Sequence, residues 1–315
     1  MKYARLVAVA FCMAVWSAGG ARAASTNDPL SKRQWALTRI QAERAWNKSR
    51  GAEVMVAIID SGVSFTHVEL SAQSAGSWDC RGVRGEEPCR EAPRDGDEAG
   101  HGTRVAGIVA GATGNRTGIA SVAPDARIMS VRVLGPDGIG TVSDVTRALR
   151  WAVEKGARVI NVSLAEFFPA REFERAVDDA WESGSIIVAS AGNDESFNSY
   201  RGLSNVLTVG ATGPSDEKAP YSSSGTIYAP GGNAGGQCRT QLCVLTTTKE
   251  GGYVAVEGTS FAAPHVSGVA ALLLSMGYTN ARALDRMIAT ADITEAGLRR
   301  INAARAVEAR AGRDA

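Results

Sequence analysis

Neither sign of charge is in excess in this sequence, so it contains little that would point to a charged partner. Its 315 residues include 34 basic and 33 acidic side chains, which gives a formal net charge of +1. A nucleic-acid or anionic-membrane surface would require a basic surplus on one face of the protein. We therefore expect no nucleic-acid partner.

Aromatic side chains are also scarce, at 6% of the residues, whereas 35 residues are glycine. With 44% hydrophobic and 21% charged residues, the composition is that of a globular protein and excludes a disordered chain. The many glycines indicate tight turns and close backbone approaches. Together these features favour a loop-rich α/β protein.

Long apolar runs are missing, and the one extended apolar stretch lies near the amino terminus. There Lys2 and Arg5 precede an apolar stretch over 6–18, and Ala21-Arg22-Ala23 follows as a small-x-small cleavage signal. This pattern predicts a secretory signal peptide over residues 1–23. The stretch is shorter than the roughly 18 apolar residues that a membrane-spanning helix needs. We expect the rest of the chain to be exported, to a periplasm or out of the cell, without a membrane anchor.

Cysteine is sparse, and the four that follow the predicted signal peptide are Cys80, Cys89, Cys238 and Cys243. An even number in an exported chain predicts disulfides. Three pairings are possible, and we expect the local one, Cys80–Cys89 with Cys238–Cys243, because each bridge closes a short loop. Each would contribute about 2–3 kcal/mol on the loop-entropy model. A zinc site is the alternative, but both spacings are wider than Cys-x-x-Cys and no histidine lies near.

Short apolar runs rich in β-branched residues alternate with helical patterns along the chain. The runs predict buried strands over 54–59, 128–133, 159–163, 186–189 and 206–209. The helical patterns lie over 103–110, 142–155, 173–183 and 258–274. This alternation predicts a mostly parallel sheet with helices on both faces, in one α/β domain over residues 24–315.

Three residues with suitable chemistry lie at the ends of these predicted elements. Asp60 directly follows the first strand, His101 stands between two glycines at a helix start, and Ser260 begins the last long helix. A serine nucleophile needs an imidazole to take its proton and a carboxylate to orient the imidazole. Singly, each residue could be a strand-end cap, a loop histidine or a helix cap. Their joint occurrence favours nucleophilic catalysis.

The segments that contain these residues resemble the three active-site motifs of the subtilisin-like serine proteases. They are Asp60-Ser61-Gly62-Val63, His101-Gly102-Thr103-Arg104-Val105-Ala106-Gly107 and Gly258-Thr259-Ser260-Phe261-Ala262-Ala263-Pro264-His265. Their order of Asp, His and Ser is also that of the family. The resemblance extends over 27–308 and is greatest to thermitase-like members. It implies a subtilisin-like three-layer fold and hydrolysis of peptide bonds in proteins or peptides through an acyl-enzyme.

The resemblance also implies a role for each residue of the site. Ser260 would be the nucleophile, His101 the general base and Asp60 the carboxylate that orients His101. Asn193, in Ala191-Gly192-Asn193, would complete the oxyanion hole together with the Ser260 N–H. A peptide-binding pseudoprotease and a transpeptidase or cyclase on the same scaffold are the alternatives. A metalloprotease is disfavoured because the sequence has no His-Glu-x-x-His.

A structural calcium ion is a further expectation that comes from the resemblance, whereas no catalytic cofactor is expected. The matching positions are Asp28, Glu69, Asn115, Thr117 and Ile119. Carboxylate, amide and backbone carbonyl oxygens suit calcium. The family usually has Asp where this chain has Glu69, and the extra methylene could distort the site. A surface loop without metal is the alternative.

Substrate binding is implied for Ser163-Leu164-Ala165-Glu166 and for Gly192. The family usually has Ser-Leu-Gly-Gly at the first of these segments, and Ser199-Tyr200-Arg201 replaces a family Tyr-Pro-Ala segment. Ala165 would add bulk to a substrate-lining wall and Glu166 would add negative charge at its rim. These departures lead to the hypothesis that basic or polar side chains are tolerated in the primary pocket.

The remaining polar residues near the motifs are interpreted as structural. His67 and His265 are expected to be packed or solvated histidines outside the site. Asp95, Asp97 and Glu98 form an acidic loop ahead of the His101 motif, and such a cluster is usually a solvated face.

The mature-like start follows the predicted signal peptide almost at once, so no prodomain is expected. The chain would then fold without a covalent template, helped by calcium and the two bridges, or with a folding factor supplied in trans. It is expected to act as a monomer.

Overall fold

The computed structural model describes residues 26–83, 87–164, 171–195, 200 and 202–308. The predicted signal peptide, Ala165 and Glu166 lie outside these ranges. Among the helices within them, none is long and apolar enough to cross a membrane.

The strands are short, and five of the twelve that the structure describes are buried along their whole length. They are β1 (Met55–Asp60), β2 (Ser74–Asp79), β3 (Arg90–Glu91), β4 (Arg127–Arg132), β5 (Val159–Val162), β6 (Ile186–Ser190), β7 (Val206–Thr212), β8 (Ile227–Pro230), β9 (Val244–Thr247), β10 (Tyr253–Val256), β11 (Asp292–Ile293) and β12 (Arg299–Arg300).

The helices differ widely in length. They are α1 (Trp35–Arg39), α2 (Ala42–Ala45), α3 (His101–Ala110), α4 (Val142–Glu154), α5 (Arg171–Glu182), α6 (Thr259–Ser275), α7 (Asn280–Ala289) and α8 (Ala303–Val307), and a 3₁₀ turn over Ser31–Arg33 precedes them.

Ten of the strands form one twisted sheet in the order β11-β12-β8-β7-β6-β5-β1-β4-β2-β3. Every pairing from β12 to β2 is parallel, and only the edge pairs β2–β3 and β11–β12 are antiparallel. The remaining two strands, β9 and β10, form a separate hairpin. β1 lies between β4 and β5, where the strand order reverses. Ligands of open α/β sheets bind at such a reversal, outside the carboxyl ends of the strands.

The sheet separates two apolar layers, and β1 shows how its sequence supplies both. Val56 and Ile58 belong to the layer that contains α3 and α6, whereas Ala57 and Ile59 belong to the layer that contains α4 and α5. Alternate side chains of a strand point to opposite faces, so a strand buried on both faces must be apolar throughout. The predicted parallel sheet with helices on both faces is confirmed, and the five predicted strands correspond to β1 and β4–β7.

The disulfides are the local pair that the sequence predicts. Cys80 and Cys89 are bridged with their Cα atoms 4.4 Å apart, and Cys238 and Cys243 with theirs 5.5 Å apart. The first bridge joins the end of β2 to the segment before β3. The second closes the loop before β9. Both bridges therefore fasten loops rather than the sheet.

Candidate active site

A histidine and a carboxylate lie in contact at the carboxyl end of β1. Asp60 is the last residue of this strand and is fully buried. His101 Nδ1 lies 2.8 and 2.9 Å from the two carboxylate oxygens of Asp60. One of these oxygens also accepts the Ser61 N–H at 2.7 Å. Asp60 thus accepts hydrogen bonds from both groups. In a neutral His101 this contact places the ring proton on Nδ1, so Nε2 is free to accept a proton.

Glycine makes this contact possible, because the start of α3 approaches the turn after β1 closely. A Cβ on Gly102 would lie 2.1 Å from the Gly62 carbonyl oxygen, so no larger residue fits between the two segments. His101 is the first residue of α3, and its imidazole packs against Phe261 with ring centroids 5.3 Å apart. About a quarter of the His101 side chain, 28%, is exposed. The ring is therefore open to solvent on one side and fixed on the other.

The electrostatic surroundings favour the protonated form of His101. Burial lowers its pKa, but the charge of Asp60 and the hydrogen bond to Asp60 outweigh this, so the pKa is raised above its usual value. Arg104 also lowers the pKa of His101, as burial does, and Asp97 also raises it, as Asp60 does. An imidazole with these neighbours takes a proton readily, which is the property required of a general base.

Ser260 is the second residue of α6, and its neighbour Phe261 contacts the His101 ring. Gly258 precedes the helix with a φ of 144°, a conformation that favours glycine. The Ser260 hydroxyl donates to the Ser163 carbonyl at 3.1 Å rather than to His101. The next residue, Phe261, is the one that packs on the imidazole. Catalytic hydrogen bonds often form only once the substrate is bound.

A proline in α6 ties Ser260 to the strand that lies opposite. Pro264 has no N–H, so the Ser260 carbonyl four residues earlier lacks its usual helical donor. The Ser163 hydroxyl donates to that carbonyl instead, at 2.8 Å. Asn161 supports Ser163 in turn, with a hydrogen bond of 2.9 Å to its hydroxyl. Ser260 and Ser163 are therefore joined by two hydrogen bonds, because the hydroxyl of each donates to the backbone carbonyl of the other.

Asn193 lies just beyond the carboxyl end of β6, and its side-chain amide is oriented by Thr259. The amide oxygen accepts both the N–H and the hydroxyl of Thr259, each at 2.9 Å. A Cβ on Gly258 would lie 3.8 Å from Nδ2 of Asn193, so the amide NH₂ faces the start of α6. The Ser260 N–H lies in the first turn of this helix, where backbone N–H groups have no intrahelical acceptor. No local pattern in the sequence indicates this role of Thr259, since the contact spans 66 residues.

The predicted substrate-binding residues are only partly described. The carbonyl of Leu164 accepts the Tyr200 hydroxyl at 2.8 Å, and Tyr200 is buried against Phe173. Tyr200 thus supports the segment after β5 through its hydroxyl, and it also borders an open pocket together with Leu203, Thr208 and Thr226. Gly192 donates its N–H to the Thr259 hydroxyl at 3.3 Å. Ala165, Glu166, Ser199 and Arg201 lie outside the described residues.

The two carboxylates predicted to bind calcium are buried, but their oxygens face hydrogen-bond donors. Asp28 accepts the backbone N–H groups of Gly114, Asn115 and Arg116 at 2.7, 2.9 and 3.1 Å. Glu69 accepts the Tyr253 hydroxyl at 2.8 Å and the Ile119 N–H at 3.2 Å. Burial raises the pKa of Glu69, while these bonds oppose the shift.

The amide of Asn115 completes this arrangement with two further hydrogen bonds. Its NH₂ group donates to Glu69 at 3.0 Å, and its oxygen accepts the Thr117 N–H at 2.8 Å. Calcium needs six to eight oxygens directed at one point, whereas the side-chain oxygens here are directed at N–H and O–H groups. The predicted ligands are thus brought together in one hydrogen-bonded loop, in which their side-chain oxygens accept from N–H and O–H groups. Glu69 reaches Ile119 and Tyr253 directly.

We therefore expect the unfolding temperature of the protein to be the same in millimolar calcium as in millimolar EGTA. A bound ion at one hundred times its Kd would add about 2.7 kcal/mol to the free energy of unfolding, which a thermal melt would detect. The matched variant is Glu69→Asp, which restores the shorter carboxylate and should lose stability in EGTA. A calcium-dependent rise in the melting temperature of the unaltered protein would contradict this expectation.

The two histidines besides His101 are buried, as expected of packed residues. His67 Nε2 lies 3.0 Å from the Gly252 carbonyl oxygen, and its ring meets the Tyr253 ring edge to face. His265 Nδ1 lies 2.9 Å from the Phe261 carbonyl oxygen. Burial lowers the pKa of His265 to about 4. Such a histidine is neutral near pH 7.

The expectation that the acidic loop is a solvated face is wrong for one residue. Asp95 and Glu98 are exposed, but Asp97 is 3% exposed. The reason is that Asp97 accepts hydrogen bonds from the turn after β1 and from the start of α3. Sequence position alone could not separate it from its neighbours.

The sequence of this chain is similar to those of known proteins. The sequence model of the subtilase family, peptidase S8, matches residues 51–308. The chain belongs to the subtilase family. It is 38% identical to thermitase from Thermoactinomyces vulgaris over 257 residues, which cover 80% of this chain and 86% of thermitase. It is 37% identical to the thermophilic serine proteinase of Bacillus sp. strain AK1 over 265 residues, which cover 82% of this chain and 62% of that protein.

Solved structures give the same result for the fold of this subtilase. A protease from Pseudoalteromonas arctica PAMC 21717 superposes with a TM-score of 0.79 at 29% identity, over 90% of this chain and 98% of the other. The subtilisin-like fold predicted from the motifs is therefore confirmed. At the level of the reaction class, the family and these relatives support a serine peptidase that acts on proteins.

Proposed function

We propose that this subtilase is a serine endopeptidase in which Asp60, His101 and Ser260 form the catalytic triad. The observation that supports this most directly is the contact of His101 Nδ1 with both oxygens of the buried Asp60. This contact leaves Nε2 available as the base, on the ring that packs beside the Ser260 segment. A pseudoprotease would be expected to have lost one of these groups, and none is missing.

In the proposed reaction, the Ser260 hydroxyl turns from the Ser163 carbonyl toward His101 when a substrate binds. Its oxygen attacks the scissile carbonyl carbon while Nε2 of His101 takes the proton, and Asp60 stabilises the resulting imidazolium. The C–N bond then breaks, His101 gives the proton to the leaving amine, and an acyl-enzyme forms on Ser260. A water molecule, deprotonated by His101, releases the acyl group and regenerates the hydroxyl.

The negative oxygen of each tetrahedral intermediate would be held by two donors. These are the N–H of Ser260, at the positive end of α6, and the amide NH₂ of Asn193. Thr259 occupies the amide oxygen of Asn193 with two hydrogen bonds, so the NH₂ group is already oriented before the substrate arrives. Such preorganised donors need no rearrangement during the reaction.

Replacement of Asn193 by Ala is therefore expected to lower kcat about 10²–10³-fold, the range found for an oxyanion-hole amide in subtilisin. KM should change little, because the amide binds the intermediate rather than the ground state. Steady-state kinetics on a chromogenic peptide would measure both constants. Thr259→Ala should give a smaller loss of kcat, because it removes only one of the two bonds that orient the amide. Unaltered kcat in Asn193→Ala would exclude this role.

The specificity of the primary pocket rests on residues outside the described ranges. A tolerance for basic or polar side chains in the primary pocket follows from Ala165 and Glu166. Preference for large apolar residues across a peptide panel would contradict it.

Export is supported by the signal-like segment over 1–23 and by the two disulfides, since such bridges persist in oxidising compartments.

The proposed function is tested by treating the purified protein with a serine-directed phosphonylating inhibitor. The protein is then assayed on a denatured protein substrate and analysed by peptide mass spectrometry. We expect cleavage without inhibitor, loss of cleavage with it, and a single label on the peptide that contains Ser260. A folded protein that neither cleaves nor takes up the label would overturn the proposal.

A further inference from the structure

Asp97 is a buried carboxylate close to the catalytic pair that takes no direct part in the proposed reaction. It lies in the loop before α3, four residues ahead of His101, and is 3% exposed. No residue of the opposite charge pairs with it in the part of the chain that the structure describes. Burying a carboxylate without a cationic partner is costly unless hydrogen bonds compensate.

Four donors provide that compensation. One oxygen of Asp97 accepts the Ser61 hydroxyl and the Gly100 N–H, both at 2.7 Å. The other accepts the N–H and the hydroxyl of Thr103, at 2.8 and 2.5 Å. An ionised carboxylate offers about four acceptor sites, so Asp97 is fully satisfied as an anion. No neutral side chain of the same size could accept all four bonds.

These donors belong to the two segments that contain the catalytic pair. Ser61 follows Asp60, and its hydroxyl also accepts the Gly102 N–H at 3.0 Å. Gly100 and Thr103 lie on either side of His101 at the start of α3. This helix has no side-chain cap from its own N-cap residue, Gly100. Asp97 therefore caps α3 and joins its first turn to the end of β1.

We propose that Asp97 is a positioning residue that fixes the His101 imidazole against Asp60 and supports its protonated form. The proposal rests on the proposed function, because it assigns Asp97 a part in the same reaction. Asp97 touches neither the substrate nor the reacting atoms, and it acts through the Ser61 turn and the α3 terminus.

Three charged groups act on His101 from the elements packed around it: Asp60 on β1, Asp97 on the loop and Arg104 on α3. Asp60 and Asp97 raise the pKa of His101, and Arg104 and burial lower it. Removal of the Asp97 charge should therefore lower the pKa of His101. Activity is lost when His101 becomes protonated, so the acidic limb of the pH profile should move to lower pH.

Asp97→Asn tests the proposal, with Asp95→Asn as its matched control. Asp95 is two residues away, exposed, and loses the same charge when substituted. In Asp97→Asn an NH₂ group replaces one carboxylate oxygen and meets N–H and O–H donors that it cannot accept, so the start of α3 must shift. We expect kcat per phosphonate-titrated site to fall on the order of 10–100-fold, as for small misplacements of a catalytic group. KM should change little, and the acidic limb should move to lower pH. Asp95→Asn should retain the wild-type values.

A second readout does not depend on turnover. The imidazole signals of the three histidines can be followed by NMR across a pH titration, and the downfield Nδ1 proton of His101 reports its bond to Asp60. We expect Asp97→Asn to lower the His101 pKa and to shift this proton. If the wild-type protein cleaves nothing, the proposed function fails, whereas the titration still decides the role of Asp97.

A purely structural cap gives a different result. Asp97→Asn would then lower the melting temperature but leave kcat per titrated site, the acidic limb and the His101 titration as in Asp95→Asn, and this would overturn the proposal. If Asp97→Asn does not fold, Ser61→Ala replaces it. That variant keeps the carboxylate and removes only the hydroxyl between Asp97 and Gly102. We expect a smaller fall in kcat with the acidic limb nearly unmoved, and unchanged kcat would count against positioning.

Discussion

Replacement of Asp60 by Asn is expected to lower kcat by about 10⁴-fold without disturbing the fold. The Asn side chain has the same shape, and its oxygen can keep the 2.7 Å bond from the Ser61 N–H. Its NH₂ group would then face His101 Nδ1, which must become an acceptor. The imidazole proton would move to Nε2, so that His101 could no longer take the proton of Ser260.

The tautomer makes this prediction sharper than a loss of rate alone. Nitrogen chemical shifts of labelled histidine should show Nε2 protonated in Asp60→Asn and Nδ1 protonated in the unaltered protein. The pKa of His101 should fall, because the charge of Asp60 and its hydrogen bond are what raise it against burial. Asp95→Asn is again the control for loss of one carboxylate. A variant within tenfold of the wild-type kcat would contradict a triad that includes Asp60.

Ser260→Ala should abolish detectable turnover, with a loss of at least about 10⁴-fold in kcat. The substitution removes the only atom that forms the acyl-enzyme in the proposed reaction, so the phosphonate label should disappear as well. Stability should change by no more than about 0.5–1.5 kcal/mol, because the hydroxyl makes one hydrogen bond, to the Ser163 carbonyl.

Ser275→Ala is the matched control, since Ser275 ends the same helix and lies far from its first turn. It should retain both cleavage and labelling. Residual turnover in Ser260→Ala that resists the phosphonate would point to a different nucleophile. Label on another serine in the unaltered protein would have the same consequence.

The sequence predicted the central strands and placed Asp60 and His101 at element ends because both features depend on strong local signals. Strands β1 and β4–β7 are largely buried and mostly apolar, and Asp60 ends the apolar run of β1. In a parallel sheet the carboxyl ends lie at one edge, so residues that follow neighbouring strands converge there. Asn193, after β6, joins the site for the same reason. The strand β2, Ser-Ala-Gly-Ser-Trp-Asp, lies next to the edge strand β3 and has no such pattern, and its pairing with β4 was not predicted.

The details that the sequence could not give depend on distant donors. The hydrogen bonding of Glu69 at the predicted calcium site depends on Tyr253, which is 184 residues away. The burial of Asp97 depends on Ser61, 36 residues away. The orientation of Asn193 depends on Thr259. None of these contacts has a period or a spacing that a single sequence would reveal.

The Ser260 carbonyl, which has no helical donor because of Pro264, bonds instead to a distant residue, and this bears on when activity arises during synthesis. Its partner Ser163 lies 97 residues earlier, and Asn193 meets Thr259 across 66 residues. Contacts of such high sequence separation form only after the entropy of closing long loops has been overcome. A growing chain that has not yet reached α6 contains the His101–Asp60 pair but no nucleophile. Peptidase activity would therefore arise only when synthesis of the domain is nearly complete, so the topology itself delays proteolysis until the chain can protect its own segments by folding.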